Sequence, residues 1–137
     1  MKSTILIYIF LLQLFACAGV ALVPASAETI MSEVQQTKGT HAVLLNVWAT
    51  SCAPCVAEFP AIVELGENNS KLHVLFVSTD FPEYEKRVKQ FLQQNGVAGK
   101  SFIKSQKDQA FINGLHHDWS GALPFTILFA KNSGDVV

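Results

Sequence analysis

Two cysteines three positions apart, Cys52 and Cys55, stand between an apolar run and a helical pattern, in Trp48-Ala49-Thr50-Ser51-Cys52-Ala53-Pro54-Cys55. Ala42 to Trp48 reads as a strand buried on both faces, the near-continuous apolar kind found in parallel sheets. A three-residue link then delivers Cys52 to the start of a helix that begins at Ala53. Unpaired backbone N–H groups and the dipole at that end favour a thiolate, which predicts a lowered pKa for Cys52. Cys55, one turn on, falls within disulfide reach. The arrangement points to redox chemistry at a strand-to-helix turn.

The chain has 137 residues, half of them apolar, enough for one ordinary core and too few for two. Ten Lys and Arg face 11 Asp and Glu, with no basic block to neutralise a run of phosphates, so nucleic acid is not an expected partner. Residues 1–27 read as a signal peptide: Lys2 gives a positive start, Ile5 to Val23 is apolar except for Gln13, and Ala25-Ser26-Ala27 offers small residues before Glu28. The apolar run is also about as long as a membrane span, which keeps an uncleaved anchor as an alternative. Lipidation at Cys17 fits less well, because Phe15 is bulky where such sites use small residues. All three readings place residues 28–137 outside the cytosol, most simply in a bacterial periplasm. Once Cys17 leaves with the leader, the one intramolecular disulfide open to the chain is Cys52 with Cys55. So short a loop constrains the unfolded chain little, and the bond matters as a reactive couple.

Along residues 28–137 the pattern is a helix near Thr29 to Thr37, the strand Ala42 to Trp48, and a helix from Ala53 towards Gly66 carrying Pro60, where a kink is expected. Leu72 to Ser78 follows as a strand. Asp80-Phe81-Pro82 opens a helix with Asp80 as its cap and Tyr84, Val88, Phe91 and Leu92 as its apolar stripe. Val97 to Lys104 is ambiguous, with an extended piece around Ser101 to Ile103. Gln106 to Leu115 reads as a helix turning Ala110, Phe111 and Leu115 inward. Pro124 precedes the strand Phe125 to Ala130, and Lys131 to Asp135 reads as a hairpin turn leading to Val136 and Val137. This order makes an α/β domain with a parallel sheet closed by an antiparallel edge.

The residues WATSCAPCVAEFP, the later GALPFT and the hairpin after it resemble the thioredoxin-like fold, and within it the exported TlpA/ResA-type thiol-disulfide oxidoreductases. The resemblance covers roughly Thr29 to Val137. It implies a central mixed sheet with helices on both faces, Cys52 as the attacking thiol and Cys55 as the resolving one. It also implies that Pro124 is cis and faces the disulfide, with the backbone of Leu123 open to an extended substrate segment, and that Trp48 lies at the substrate site. Ser51 stands where the family usually has a Trp, and Asn46 where thioredoxins bury an Asp. A buried Asn reads first as a satisfied structural hydrogen-bonder. Glu58, one turn after Cys55, matches a Glu common in TlpA-like sequences; a solvated helix-surface charge is the other reading. The family's sheet is closed by a C-terminal helix, so by resemblance this chain looks truncated.

The function implied is disulfide exchange with exported proteins, the dithiol serving in place of a cofactor and being recharged by a membrane or soluble thiol donor. Ala53 and Pro54 between the cysteines supply no base, which leans towards a reductant or relay over a strong oxidant. Two other readings stay open: a non-catalytic protein-binding module, and a copper-delivery module in which His116 and His117 join the cysteines. Adjacent histidines on a loop fit no standard metal spacing, so no metal is expected. Trp119 reads as a packing residue before a stacking one.

Overall fold

The structure, a computed structural model, describes residues 19–137. Five strands form one sheet: β1 (Val20–Ala25), β2 (Ala42–Trp48), β3 (Leu72–Ser78), β4 (Gly99–Lys104) and β5 (Phe125–Phe129). Their spatial order is β1-β4-β3-β2-β5, parallel throughout except for β5, which runs antiparallel to β2 with Val47 opposite Phe125. Four helices, α1 (Ala27–Gln36), α2 (Ala53–Glu67), α3 (Glu85–Gln94) and α4 (Asp108–Leu115), link them.

Side-chain alternation along the strands splits the core in two. Val43, Leu45 and Val47 of β2 join Leu75 and Val77 of β3 against Ile30 and Val34 of α1 and Phe111 and Leu115 of α4. The opposite face presents Trp48, Phe76 and Ile103 to Phe59 of α2 and to Val88 and Leu92 of α3. Helices therefore cover both faces of a mixed sheet. Close approach of α1 to α4 depends on Gly114, where an added Cβ would lie 2.6 Å from the Ala27 Cβ.

Residues Val20 to Ala27, read from the sequence as the end of the leader, are built into this core. Val20–Ala25 pairs along its whole length with β4, Ala25 and Ala27 are buried, and Ser26 caps α1 by accepting from the Thr29 N–H at 3.2 Å. The earlier part of the leader, with Lys2 and Cys17, lies outside the described residues. Three expectations are corrected. The chain after β3 enters a 3-10 turn at Pro82–Tyr84 before α3, and Asp80 caps neither. Tyr84 is exposed because it lies in that turn, ahead of the helical stripe, and Ala110 faces solvent on α4. Helix α2 carries Pro60 inside it and continues to Glu67.

Candidate redox site

Strand β2 ends at Trp48, and the link Ala49–Ser51 folds back so that the Cys52 N–H reaches the Ala49 carbonyl at 3.1 Å. Cys52 then caps α2: its Sγ accepts from the Cys55 N–H at 3.3 Å, and Pro54 in the first turn has no N–H to leave unpaired. Cys52 and Cys55 form a disulfide, with Cα atoms 5.2 Å apart. The two sulfurs differ in access. Cys52 is half-buried, whereas Cys55 is 1% exposed and packs beside Phe59 and Trp48.

The floor beneath them is aromatic. Trp48 and Phe59 meet edge to face at 4.8 Å, and Phe59 stacks on Phe76 at 4.4 Å. Trp48 is 1% exposed, so its side chain supports the site from within. Asn46 is equally buried; its Nδ2 donates to the Thr126 Oγ1 at 3.0 Å, tying β2 to β5, but its Oδ1 is without a partner among the described residues, so it is only half of the satisfied hydrogen-bonder expected. Glu58 is half-buried on α2, one turn beyond Cys55.

The Leu123–Pro124 peptide bond is cis. Continuing the β2–β5 register brings Pro124 to the level of Trp48, at the end of the sheet that carries the disulfide. Leu123 is half-buried and packs against both halves of the core, including the cluster that holds the two cysteines. Trp119 stabilises this loop: its ring stacks on Phe125 at 4.6 Å and its Nε1 donates to the Ala122 carbonyl at 2.8 Å. It is a packing residue. Gly121 sits in the left-handed region with φ of 89°, a conformation that carries no steric penalty only for glycine.

Asp80 went unrecognised as part of this site. Its side chain is 3% exposed. It accepts from the Thr50 N–H at 2.8 Å, the Thr50 hydroxyl at 2.5 Å, the Ser78 hydroxyl at 2.8 Å and Arg87 at 3.3 Å. Burial alone would raise its pKa, but these donors outweigh that and hold the carboxyl below the usual aspartate range. The sequence signal was present as a lone acid directly after a buried strand, yet capping accounts for the same pattern. Among the described residues, the potential metal-ligand atoms that converge are those of His116, His117 and Asp118, within 4.8 Å of one another on an exposed loop. The cysteines are not among them.

No family model matches the chain. Thiol-disulfide oxidoreductase ResA of Bacillus thuringiensis (strain Al Hakam) is 33% identical over 105 residues, covering 77% of this chain and 57% of ResA. The thioredoxin domain of a thiol-disulfide oxidoreductase from Bacteroides vulgatus superposes with a TM-score of 0.60 at 20% identity, covering 75% of this chain and 71% of that one. This is a thioredoxin-like fold. A thioredoxin family thiol:disulfide interchange protein from Chlorobium tepidum gives the same TM-score of 0.60 at 20% identity, covering 75% and 70% of the two chains. The thioredoxin-like chain described here thus spans a little over half the length of the curated relative it matches. Its mixed five-stranded sheet and its disulfide at the start of α2 are the features of that fold.

Proposed function

We propose that this protein is a thiol-disulfide oxidoreductase that reduces or relays electrons to disulfides of exported proteins. The observation that carries this reading is the unequal access of the two sulfurs in one disulfide at a helix N-terminus. In the reduced form the Cys52 thiolate, held by the Cys55 N–H and the end of α2, attacks one sulfur of a partner disulfide. That S–S bond breaks, its electron pair leaves on the partner's second sulfur, which takes a proton, and a mixed disulfide remains. Cys55 then loses its proton and attacks the Cys52 sulfur, expelling the partner's first sulfur as a thiolate. The products are the Cys52–Cys55 disulfide and a partner reduced by two electrons, and a thiol donor reverses the change on the protein.

In this reading the Glu58 carboxylate takes the Cys55 proton, and an extended partner segment pairs with the Leu123 backbone as an added strand. ResA-type relatives and the leader-like residues at the start of the chain support an exported location. Alkylation of the reduced protein with limiting iodoacetamide, followed by mass mapping, tests the assignment. Labelling at Cys52 is expected, Cys52→Ser should abolish insulin reduction, and Cys55→Ser should accumulate mixed disulfide. First labelling at Cys55 would reverse the roles, and a wild-type protein inert towards insulin and towards a dithiol-coupled disulfide would favour the binding-module reading.

A further inference from the structure

The link Ala49–Ser51 is the part of the chain that sets where Cys52 stands, and it is held almost entirely by the segment Ser78–Asp80 at the end of β3. On one side, the Thr79 N–H and hydroxyl both donate to the Trp48 carbonyl, at 2.8 and 3.3 Å. On the other, the buried Asp80 carboxylate receives both the N–H and the hydroxyl of Thr50. A residue gripped through its backbone and its side chain by the same carboxylate has its peptide orientation and its χ1 fixed together. The carboxylate is fixed in turn: Ser78 Oγ donates to it and accepts from the Asp80 N–H at 3.0 Å, and Arg87 reaches it from α3. Burying a charge this deeply is costly unless every lone pair is occupied, and here four donors occupy them. The whole network points at one turn, whose next hydrogen bond runs from the Cys52 N–H to the Ala49 carbonyl.

We infer that Asp80 is a positioning residue for the attacking thiol, acting through Thr50 to hold the link that presents Cys52 at the head of α2. The inference rests on the reading of Cys52 as the attacking thiol. Asp80 itself touches no reacting atom. Its effect is on the angle and depth at which the Cys52 sulfur meets a partner, and on how well the Cys55 N–H and the helix end can stabilise its thiolate.

Thr50 gives the cleanest test because it is half-buried and its N–H bond survives a side-chain change. Thr50→Val keeps the shape and removes the hydroxyl donor; Thr50→Ser restores it; Asp80→Asn removes the charge. Three quantities are measured on each: the denaturant midpoint, the iodoacetamide rate constant of Cys52, and the equilibrium constant of the dithiol with glutathione. Thr50→Val and Asp80→Asn are expected to move the rate and the equilibrium constant by roughly three- to tenfold, where tenfold in the latter is about 30 mV for a two-electron couple. Thr50→Ser should stay within about twofold of wild type, the hydroxyl bond being remade. Should Asp80→Asn fail to fold, the Thr50 pair decides alone. Lowered midpoints with the rate and equilibrium constant unchanged in Thr50→Val would show that Asp80 only braces the fold and would overturn the inference. Mapping the label in the wild type separates the two claims, since first labelling at Cys55 defeats the role of Cys52 whatever Thr50 does.

Discussion

Asp80 and Trp48 illustrate at the residue scale how burial changes the meaning of a side chain. Asp80 reads from the sequence as a helix cap because an acid before Phe81-Pro82 satisfies the local pattern, and only the parallel pairing of β2 with β3 brings Thr50 to it. Its lowered pKa carries a sign that can be checked. A carboxyl whose folded pKa lies below its unfolded value binds fewer protons when folded. It therefore contributes stability that is fully present above the unfolded value and lost as pH falls through the folded one. Wild-type protein should lose denaturant stability as pH falls below about 4, and Asp80→Asn should remove part of that slope while lowering stability at neutral pH. Urea midpoints across pH 3 to 7 measure both, to the order of a pH unit. Parallel curves for the two proteins would mean that Asp80 is not the group responsible.

Elements with their own pattern were legible, and elements defined by their neighbours were not. Strands β2 and β3 and the start of α2 lie where the apolar runs and the CxxC place them, since buried parallel strands write themselves as continuous apolar stretches. Strand β4 was legible only around Ser101 to Ile103, because Gly99 and Lys100 carry no apolar signal and only Val77 and Ser78 of β3 pair with it. Its long partner is β1, whose Val20-Ala-Leu-Val-Pro-Ala is indistinguishable in composition from the end of a signal peptide. That ambiguity can be tested directly. A chain beginning at Glu28 lacks the buried Leu22 and Ala25, the Ala25 carbonyl that accepts from the Ser105 N–H, and the Ala27 N–H that donates to Gln106. It should be less stable than a chain beginning at Gly19 by at least about 2–5 kcal/mol, the range for losing one large core side chain. Equal urea midpoints for the two would show β1 to be dispensable. A second element-scale contact is the seam between α1 and α4. Gly114→Ala places a methyl against Ala27 and should cost about 1–3 kcal/mol, as overpacked cores do. Adding Ala27→Gly should recover much of the loss, and no recovery would locate the strain elsewhere.

The direction of electron flow belongs to the whole molecule, because it depends on every charge the fold brings near the sulfurs. A strongly oxidising dithiol is one whose reduced form is stabilised, and cationic neighbours that hold the thiolate are the usual means. Here the Cys52 sulfur has a backbone partner, the Cys55 N–H, and among the described residues no Lys, Arg or His hydrogen-bonds either sulfur. The residues between the cysteines are Ala53 and Pro54, and the anion that grips the adjacent link, Asp80, is itself paired with Arg87. The helix end still favours the thiolate, so an unusually reluctant thiol is not expected either. On these terms the potential is expected to fall nearer the thioredoxin value of about −270 mV than the DsbA value of about −120 mV. Equilibration of the purified protein with glutathione buffers, quenched by acid and read by thiol labelling, gives the potential. A result more oxidising than about −150 mV would mean that the fold supplies a cationic influence on Cys52 other than its backbone, and would turn the proposed reductant into an oxidant.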